Sequence, residues 1–326
     1  MTYRPWGSVE WSLSLSNPKQ WSLIGALGTE ERSLSAWGLF NQFGILKGQS
    51  FAEILDVDSV KYRQLNKDLL ALRRAEFLGS GGKVADITTF DLMSELFRIR
   101  QFSQEVIQKN SSIVLDITSL PKRFFFPILE ALVKSANIRD LLITYTCPDS
   151  YASGALYEDI EPWKTLPGFG GRDNPDIWIA GVGFLAESLK RYIVDNPKEK
   201  IKVLVPFPAP LSSLRRTWQS VAELEQGNPE NRIDKIRVDT LDMSAAFDRI
   251  SSLAGKPAKN IAFAPFGPKP TSAAMCLYAL QQKSSVHYPQ PTVYHPEYSK
   301  GIKKGDPKIA VSSYWIKHDG EFLYHV

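Results

Sequence analysis

The amino-acid sequence predicts an α/β fold with two mainly parallel sheets, and three features predict it. Apolar runs of about five residues alternate with amphipathic stretches of about 12 to 20, the rhythm of strands joined by crossover helices. The second half repeats the first in order. LIGALGTEERSLSAW (23–37) matches WIAGVGFLAESLKRY (178–192), DLMSELFRI (91–99) matches LDMSAAFDRI (241–250), and LPKRFFFPILEAL (120–132) matches GPKPTSAAMCLYAL (267–280). Between the halves lies CPDSYASGALYEDIEPWKTLPGFGGRDNP (147–175), rich in Gly, Pro and polar residues, which marks a boundary.

The short apolar runs place first-half strands at 22–27, 51–56, 84–88, 112–117 and 141–146. The amphipathic stretches place helices at 30–42, 59–77, 91–109 and 122–136. Pro121 suits the start of the last helix, because the donor it lacks would be unsatisfied there anyway. The second half repeats the order, with strands at 177–182, 201–206, 235–239, 260–265 and 284–288. Its helices are expected at 184–195, 211–226, 243–254 and 270–283. Outside the repeat, SVEWSLSLS (8–16) alternates like a strand, and KIAVSSYWIKHDGEFLYHV reads as a hairpin turning at Asp319-Gly320. The expected organisation is two tandem Rossmann-like domains. The first covers 1–150, a linker or lid covers 151–175, and the second covers 176–326 with the hairpin.

Composition narrows the function. With 39 basic and 35 acidic residues the net charge is +4, and the cations are scattered. That surface suits a ligand with a few phosphates rather than a long nucleic acid. Two cysteines, Cys147 and Cys276, have no metal or redox spacing and read as buried thiols of a reducing compartment. No apolar stretch has the length of a membrane span and no leader-like core opens the chain, so the expected location is the cytoplasm. His287 and His295 have no third ligand beyond Glu297, so neither a metal nor another cofactor is expected.

In an open parallel sheet, ligands gather at the carboxyl ends of strands, and every suggestive motif falls there. In LDITSLPKRF (115–124), Asp116, Thr118 and Ser119 are placed to cap the following helix, but capping leaves Lys122 unexplained. A cation in a first helical turn opposes the dipole by roughly 0.3–1 kcal/mol, and a bound anion reverses that sign. The Pro-Lys pair recurs in FGPKPTS (266–272), where Gly267 permits close approach to a ligand, Lys269 repeats the cation, and Thr271 and Ser272 supply hydroxyls.

GALGTEERS (25–33) lacks the dinucleotide fingerprint and instead offers Glu30 and Glu31, either as a general base or ribose contacts or as ordinary first-turn acids. VHYPQPTVYHPEYSKG (286–301) gathers Tyr288, Tyr294 and His295, either to stack a base or to pin a proline-rich loop. VPFPAPLSSLRR (205–216) places Ser212, Ser213, Arg215 and Arg216 near a helix start, more in keeping with a solvated face. Arg172 lies in a glycine-rich loop with the composition of a lid.

Asp-x-Thr-x-x-x-Lys at a strand end, formed by Asp116, Thr118 and Lys122, resembles the Asp-x-Thr-Gly-Gly-Thr-Lys motif of CRISPR-associated Rossmann fold (CARF) domains. Ser119 and Leu120 stand at the two glycine positions, and the second half keeps only the lysine, Lys269. The resemblance implies a cyclic oligonucleotide ligand and a place in prokaryotic defence signalling.

Three functional expectations follow. The first is a sensor that binds a nucleotide between the two halves. Lys122 and Lys269 hold phosphate, Thr118, Ser119, Gly267, Thr271 and Ser272 assist, Tyr288 and Tyr294 cover a base, and a separate effector protein carries the output. The second is a nucleotide-processing enzyme, a metal-independent phosphodiesterase like a ring nuclease or an N-glycosidase, with Glu30, Glu31 or His295 as acid or base. The third is an adaptor subunit without ligand.

Overall fold

The structure is a computed structural model that describes residues 4–55, 61–152, 157–160, 163–183, 187–195, 200–207, 211–226, 233–303 and 310–326. The chain divides into two units, Met1–Ile160 with Pro291–Leu323, and Glu161–Gln290 with Tyr324–Val326.

The first unit begins with β1 (Trp6–Ser8), α1 (Val9–Ser14), β2 (Trp21–Leu27), a 3-10 turn at Glu31–Leu34 and α2 (Ser35–Gln42). It continues through β3 (Leu46–Leu55), α3 (Arg63–Gly79), β4 (Ile87–Asp91), α4 (Leu96–Ile107), β5 (Ser112–Asp116), α5 (Lys122–Lys134) and β6 (Asp140–Thr146). Two short strands follow, β7 (Ser150–Tyr151) and β8 (Tyr157–Ile160). The second unit contains β9 (Ile177–Gly181), α6 (Glu187–Asp195), β10 (Ile201–Pro206), α7 (Leu211–Gln226) and β11 (Ile233–Val238). After these come α8 (Met243–Ala254), β12 (Ile261–Pro265), α9 (Lys269–Gln282) and β13 (Ser285–Val286). The chain then rejoins the first unit as β14 (Pro291–Tyr294), β15 (Ser299–Lys300), β16 (Val311–His318) and β17 (Glu321–Phe322).

The first sheet runs β1-β16-β6-β5-β2-β3-β4, with β17 paired to β16. Strands β6, β5, β2, β3 and β4 are parallel, while β1 and β16 are antiparallel additions. The second sheet runs β11-β10-β9-β12-β13 and is parallel throughout. Both parallel sets therefore have the same order: the first strand of each lies in the middle, and the chain reverses direction between β2 and β5 or between β9 and β12. The alternation and repeat in the sequence foretold this α/β architecture.

Strands β2, β5, β6, β9 and β12 are buried at every position, as strands covered on both faces must be. Phe124, Phe125, Phe126, Ile128, Leu129 and Leu132 are buried along α5, each side chain contributing roughly 1.5–3 kcal/mol.

Three expectations need correction. The alternating stretch 8–16 is not a strand. Ser8 ends β1 and caps α1, accepting a hydrogen bond from the Trp11 amide at 3.3 Å, and Val9 and Ser12 bury the helical face. The C-terminal hairpin does form, with Asp319 and Gly320 at positive φ, but β16 pairs antiparallel with β6. It thus extends the first sheet, not the second domain of 176–326. The stretch 166–175 is no free lid. Leu166 and Phe169 are buried, and the Leu166 amide donates to the Val286 carbonyl at 2.7 Å. Gly171 has φ +63°, and a Cβ there would lie 2.1 Å from the Ser285 nitrogen, so only glycine permits this approach.

Candidate functional site

The reversal between β2 and β5 opens the carboxyl end of the first sheet, the place where open parallel sheets take ligands. Gly28 follows β2 and Ser119 follows β5. A Cβ on Gly28 would lie 3.0 Å from Ser119 Cβ, 3.3 Å from Ser119 Oγ and 3.9 Å from Ser33 Cβ. Among the described residues, the Oγ atoms of Ser33 and Ser119 are both buried with no hydrogen-bond partner. Two neighbouring hydroxyls left without partners each carry an uncompensated desolvation cost of about 1–3 kcal/mol.

Lys122, the first residue of α5 and three positions after Ser119, is partly buried, and burial pushes its ammonium down to about 8. The N-cap of α5 is Pro121, and no side chain caps the helix. The capping role expected for Asp116, Thr118 and Ser119 is therefore absent.

Asp116 and Thr118 turn inward instead. Asp116 Oδ1 accepts from the Thr118 hydroxyl at 2.5 Å, the Thr118 amide at 3.1 Å and the Thr144 hydroxyl at 3.2 Å. Thr118 Oγ1 accepts from the Thr146 amide at 2.9 Å and is wholly buried. Its hydroxyl thereby ties β5 to β6.

Glu30 is likewise committed. Its Oε2 accepts from Arg32 Nε at 2.8 Å and from the Ser299 hydroxyl, and Arg32 is almost fully buried. Burial is the largest influence on Arg32 and opposes its charge, but the Glu30 carboxylate together with Tyr145 and Tyr151 outweighs it, so the guanidinium stays above its ordinary value. A carboxylate held this way is a poor base, whereas Glu31 is exposed. His295 is partly buried, its ring 5.2 Å from that of Tyr62, and its Nδ1 accepts from the Glu297 amide at 3.1 Å. The remaining nitrogen, Nε2, then carries the proton of the neutral ring.

The corresponding strand ends of the second unit are filled by backbone. A Cβ on Gly183 would lie 2.4 Å from the Phe266 carbonyl oxygen, and one on Gly267 would lie 3.2 Å from the carbonyl carbon of Gly181. Gly267 permits the close approach of the end of β12 to the end of β9. Ser272 spends its hydroxyl on the Pro268 carbonyl at 3.1 Å. Thr271 is buried with no partner for its hydroxyl, and Lys269 is partly buried at the start of α9.

The tyrosine-rich segment is divided between the units. Tyr294 and His295 belong to the first, where Tyr294 meets Tyr298 edge-on at 6.4 Å. Tyr288 belongs to the second and is buried with its ring 5.9 Å from that of Phe266. His287 packs 4.8 Å from Trp178, and burial lowers it to about 4. Arg172 and Arg215 are exposed, while the side chains of Ser212, Ser213 and Arg216 lie outside the described residues. Both cysteines are free and buried. No group of three or more His, Cys, Asp or Glu residues among the described ones is placed to hold a metal, and no described helix is long and apolar enough to cross a membrane.

Reading the sequence alone passed over Gly28 and Ser33 as site residues, although both stand in the repeat. Neither belongs to a recognised motif, and their significance lies in a contact across the sheet.

No family model matches the chain, and no curated protein matches it by sequence. Among solved structures it resembles a Type III CRISPR defence DNA nuclease activated by cyclic oligoadenylate, with a TM-score of 0.50 and 8% identity. The match covers 83% of this chain and 65% of the nuclease chain. A second match, the cytoplasmic domain of a prokaryotic cation chloride cotransporter, has 13% identity over 84% of this chain and 96% of that one. Its TM-score of 0.24 carries no argument. At 8% identity the likeness to the CRISPR nuclease is remote, and it is a likeness of fold.

Proposed function

We propose that this chain is a CARF-like protein of prokaryotic anti-phage defence, with two Rossmann-like units, and that it handles a phosphate-containing nucleotide. The binding point is the carboxyl end of the first sheet, where Ser33, Ser119 and Lys122 meet a phosphate beside Gly28. The observation that carries this reading is the pair of buried, unpartnered hydroxyls, Ser33 and Ser119, with Lys122 three residues after Ser119 in the first turn of a helix without a side-chain cap. An anion would satisfy both hydroxyls and the helix dipole together, and the charge of Lys122 favours it. The Asp116-Thr118-Lys122 resemblance and the fold shared with a nuclease activated by cyclic oligoadenylate support a cyclic oligonucleotide as the ligand class.

A second reading, in which the bound nucleotide is cleaved, is favoured by His295. Its Nε2–H is suited to protonate a leaving oxygen without a metal, and Glu31 is exposed. The likeness to a nuclease supports it too. Glu30 contributes to neither reading directly, because Arg32 and Ser299 hold it. A thermal-shift screen against inorganic phosphate, AMP, ATP and linear and cyclic oligoadenylates, followed by mass spectrometry of each mixture, tests both. A rise in Tm with intact ligand indicates a sensor working through a separate effector protein, and consumed ligand indicates the enzyme. No shift with any of them overturns both readings in favour of an adaptor.

A further inference from the structure

Arg32 is 3% exposed yet charged, and a buried guanidinium persists only where its donors are matched. Its Nε donates to Glu30 Oε2 at 2.8 Å and to Ser299 Oγ at 2.9 Å, and a terminal nitrogen donates to the Thr146 carbonyl at 2.7 Å. The other terminal nitrogen lies 2.8 Å from Glu30 Oε2. Its partners thus come from three stretches: the loop after β2, the end of β6, and the 291–300 segment.

Next to this group the Thr29 hydroxyl donates to the Pro296 carbonyl at 2.6 Å. Pro296 and Ser299 flank the turn that follows His295, and within that turn the Glu297 amide reaches His295 Nδ1. Among the described residues, the Ala152 amide also donates to the Tyr298 carbonyl at 3.2 Å. Strand β14 pairs with β8, and β15 with β7 over two residues, and ribbons that short are marginal alone.

We propose that Arg32 is a positioning residue, which pins the 291–300 segment to the loop after β2 and so holds His295 as an Nε2–H donor at the carboxyl end of the first sheet. Only the identity of what His295 donates to, a phosphate oxygen, rests on the nucleotide reading. The positioning is a property of the unliganded chain. Lysine cannot replace arginine here, because one ammonium cannot span partners in three directions as the planar fork does.

The test uses the isotopically labelled full chain without ligand, wild type against Arg32→Lys. Two resonances report the placement of His295: the Overhauser contact between its ring and that of Tyr62, and the Glu297 amide, which shifts when Nδ1 is protonated. The wild type shows both. Arg32→Lys is expected to lose both while the amide spectrum of the parallel strands stays unchanged.

Both signals surviving in a folded Arg32→Lys chain, even one with lowered Tm, would make Arg32 merely structural and overturn the proposal. If Arg32→Lys does not fold, Ser299→Ala, which removes the contact of Arg32 with the 291–300 segment, takes its place. It leaves the Arg32 bonds to Glu30 and Thr146 intact, and the same loss or retention decides. A wild type that binds no cyclic oligoadenylate defeats the nucleotide reading and leaves these spectra to judge Arg32.

Discussion

Gly28 and Ser119 face each other across the carboxyl ends of β2 and β5 so closely that a methyl group on Gly28 would sit 3.0 Å from Ser119 Cβ. Gly28→Ala therefore pushes on one short side chain, which can give way. The expected cost is about 1 kcal/mol of stability together with weakened nucleotide binding. In the second unit the same change meets backbone, since a Cβ on Gly183 would lie 2.4 Å from the Phe266 carbonyl oxygen. Gly183→Ala should cost about 3 kcal/mol or more. Urea unfolding of both variants checks the order, and equal costs would contradict the difference between the two crevices.

Thr118 separates a structural hydroxyl from a binding one. Thr118→Val removes the donor to Asp116 and the acceptor for the Thr146 amide, leaving both buried groups short of a partner. The expected loss is about 1–3 kcal/mol of stability. Nucleotide affinity, measured by titration where the variant is fully folded, should stay within a factor of about two.

Lys122 gives the site a pH dependence. Burial pushes its ammonium down to about 8, so the free protein loses this proton well below the ordinary lysine range. Below that pH the folded state bears the cost of a desolvated charge, and the cost is relieved as pH rises. A bound phosphate favours the protonated form, so affinity should fall about tenfold from pH 7 to pH 9. Lys122→Arg, which stays charged, should flatten the profile. Titrations at the two pH values with both proteins measure it.

His287 ties the stability of the second unit to acid. Its folded value of about 4 lies below the ordinary imidazole range because burial against Trp178 disfavours the charged ring. The unfolded chain therefore binds more protons between pH 6.5 and 4. Stability contributed by neutral His287 is complete above that window and is lost as pH falls through it. His287→Phe should shrink the fall in urea midpoint across this window, and an unchanged fall would show that other groups drive it.

The sequence revealed the strands and helices well where burial is uniform. The expected strand 201–206 is β10 to the residue, because five of its six residues are apolar and buried, as a parallel strand covered on both faces requires. It misled at 8–16, where apolar alternation imitates a strand. A serine cap and a single buried helical face decide that stretch, and neither shows in period alone.

The site was half legible. Ser119 and Lys122 stood out because a lysine after a strand-end proline opposes the helix dipole. Thr118 and Gly267 looked alike in sequence to ligand contacts, yet their partners are the Thr146 amide and the Gly181 backbone. Those partners arrive through sheet pairing between distant segments. The same holds for Arg32, whose partner Ser299 lies far along the chain.

The most direct test of the account is calorimetric titration of wild type, Lys122→Ala and Lys269→Ala with cyclic oligoadenylate at pH 7. The account predicts binding by the wild type, a loss of at least about tenfold in Lys122→Ala, or roughly 1.4 kcal/mol, and a smaller change in Lys269→Ala. Wild-type affinity in a folded Lys122→Ala protein would contradict it.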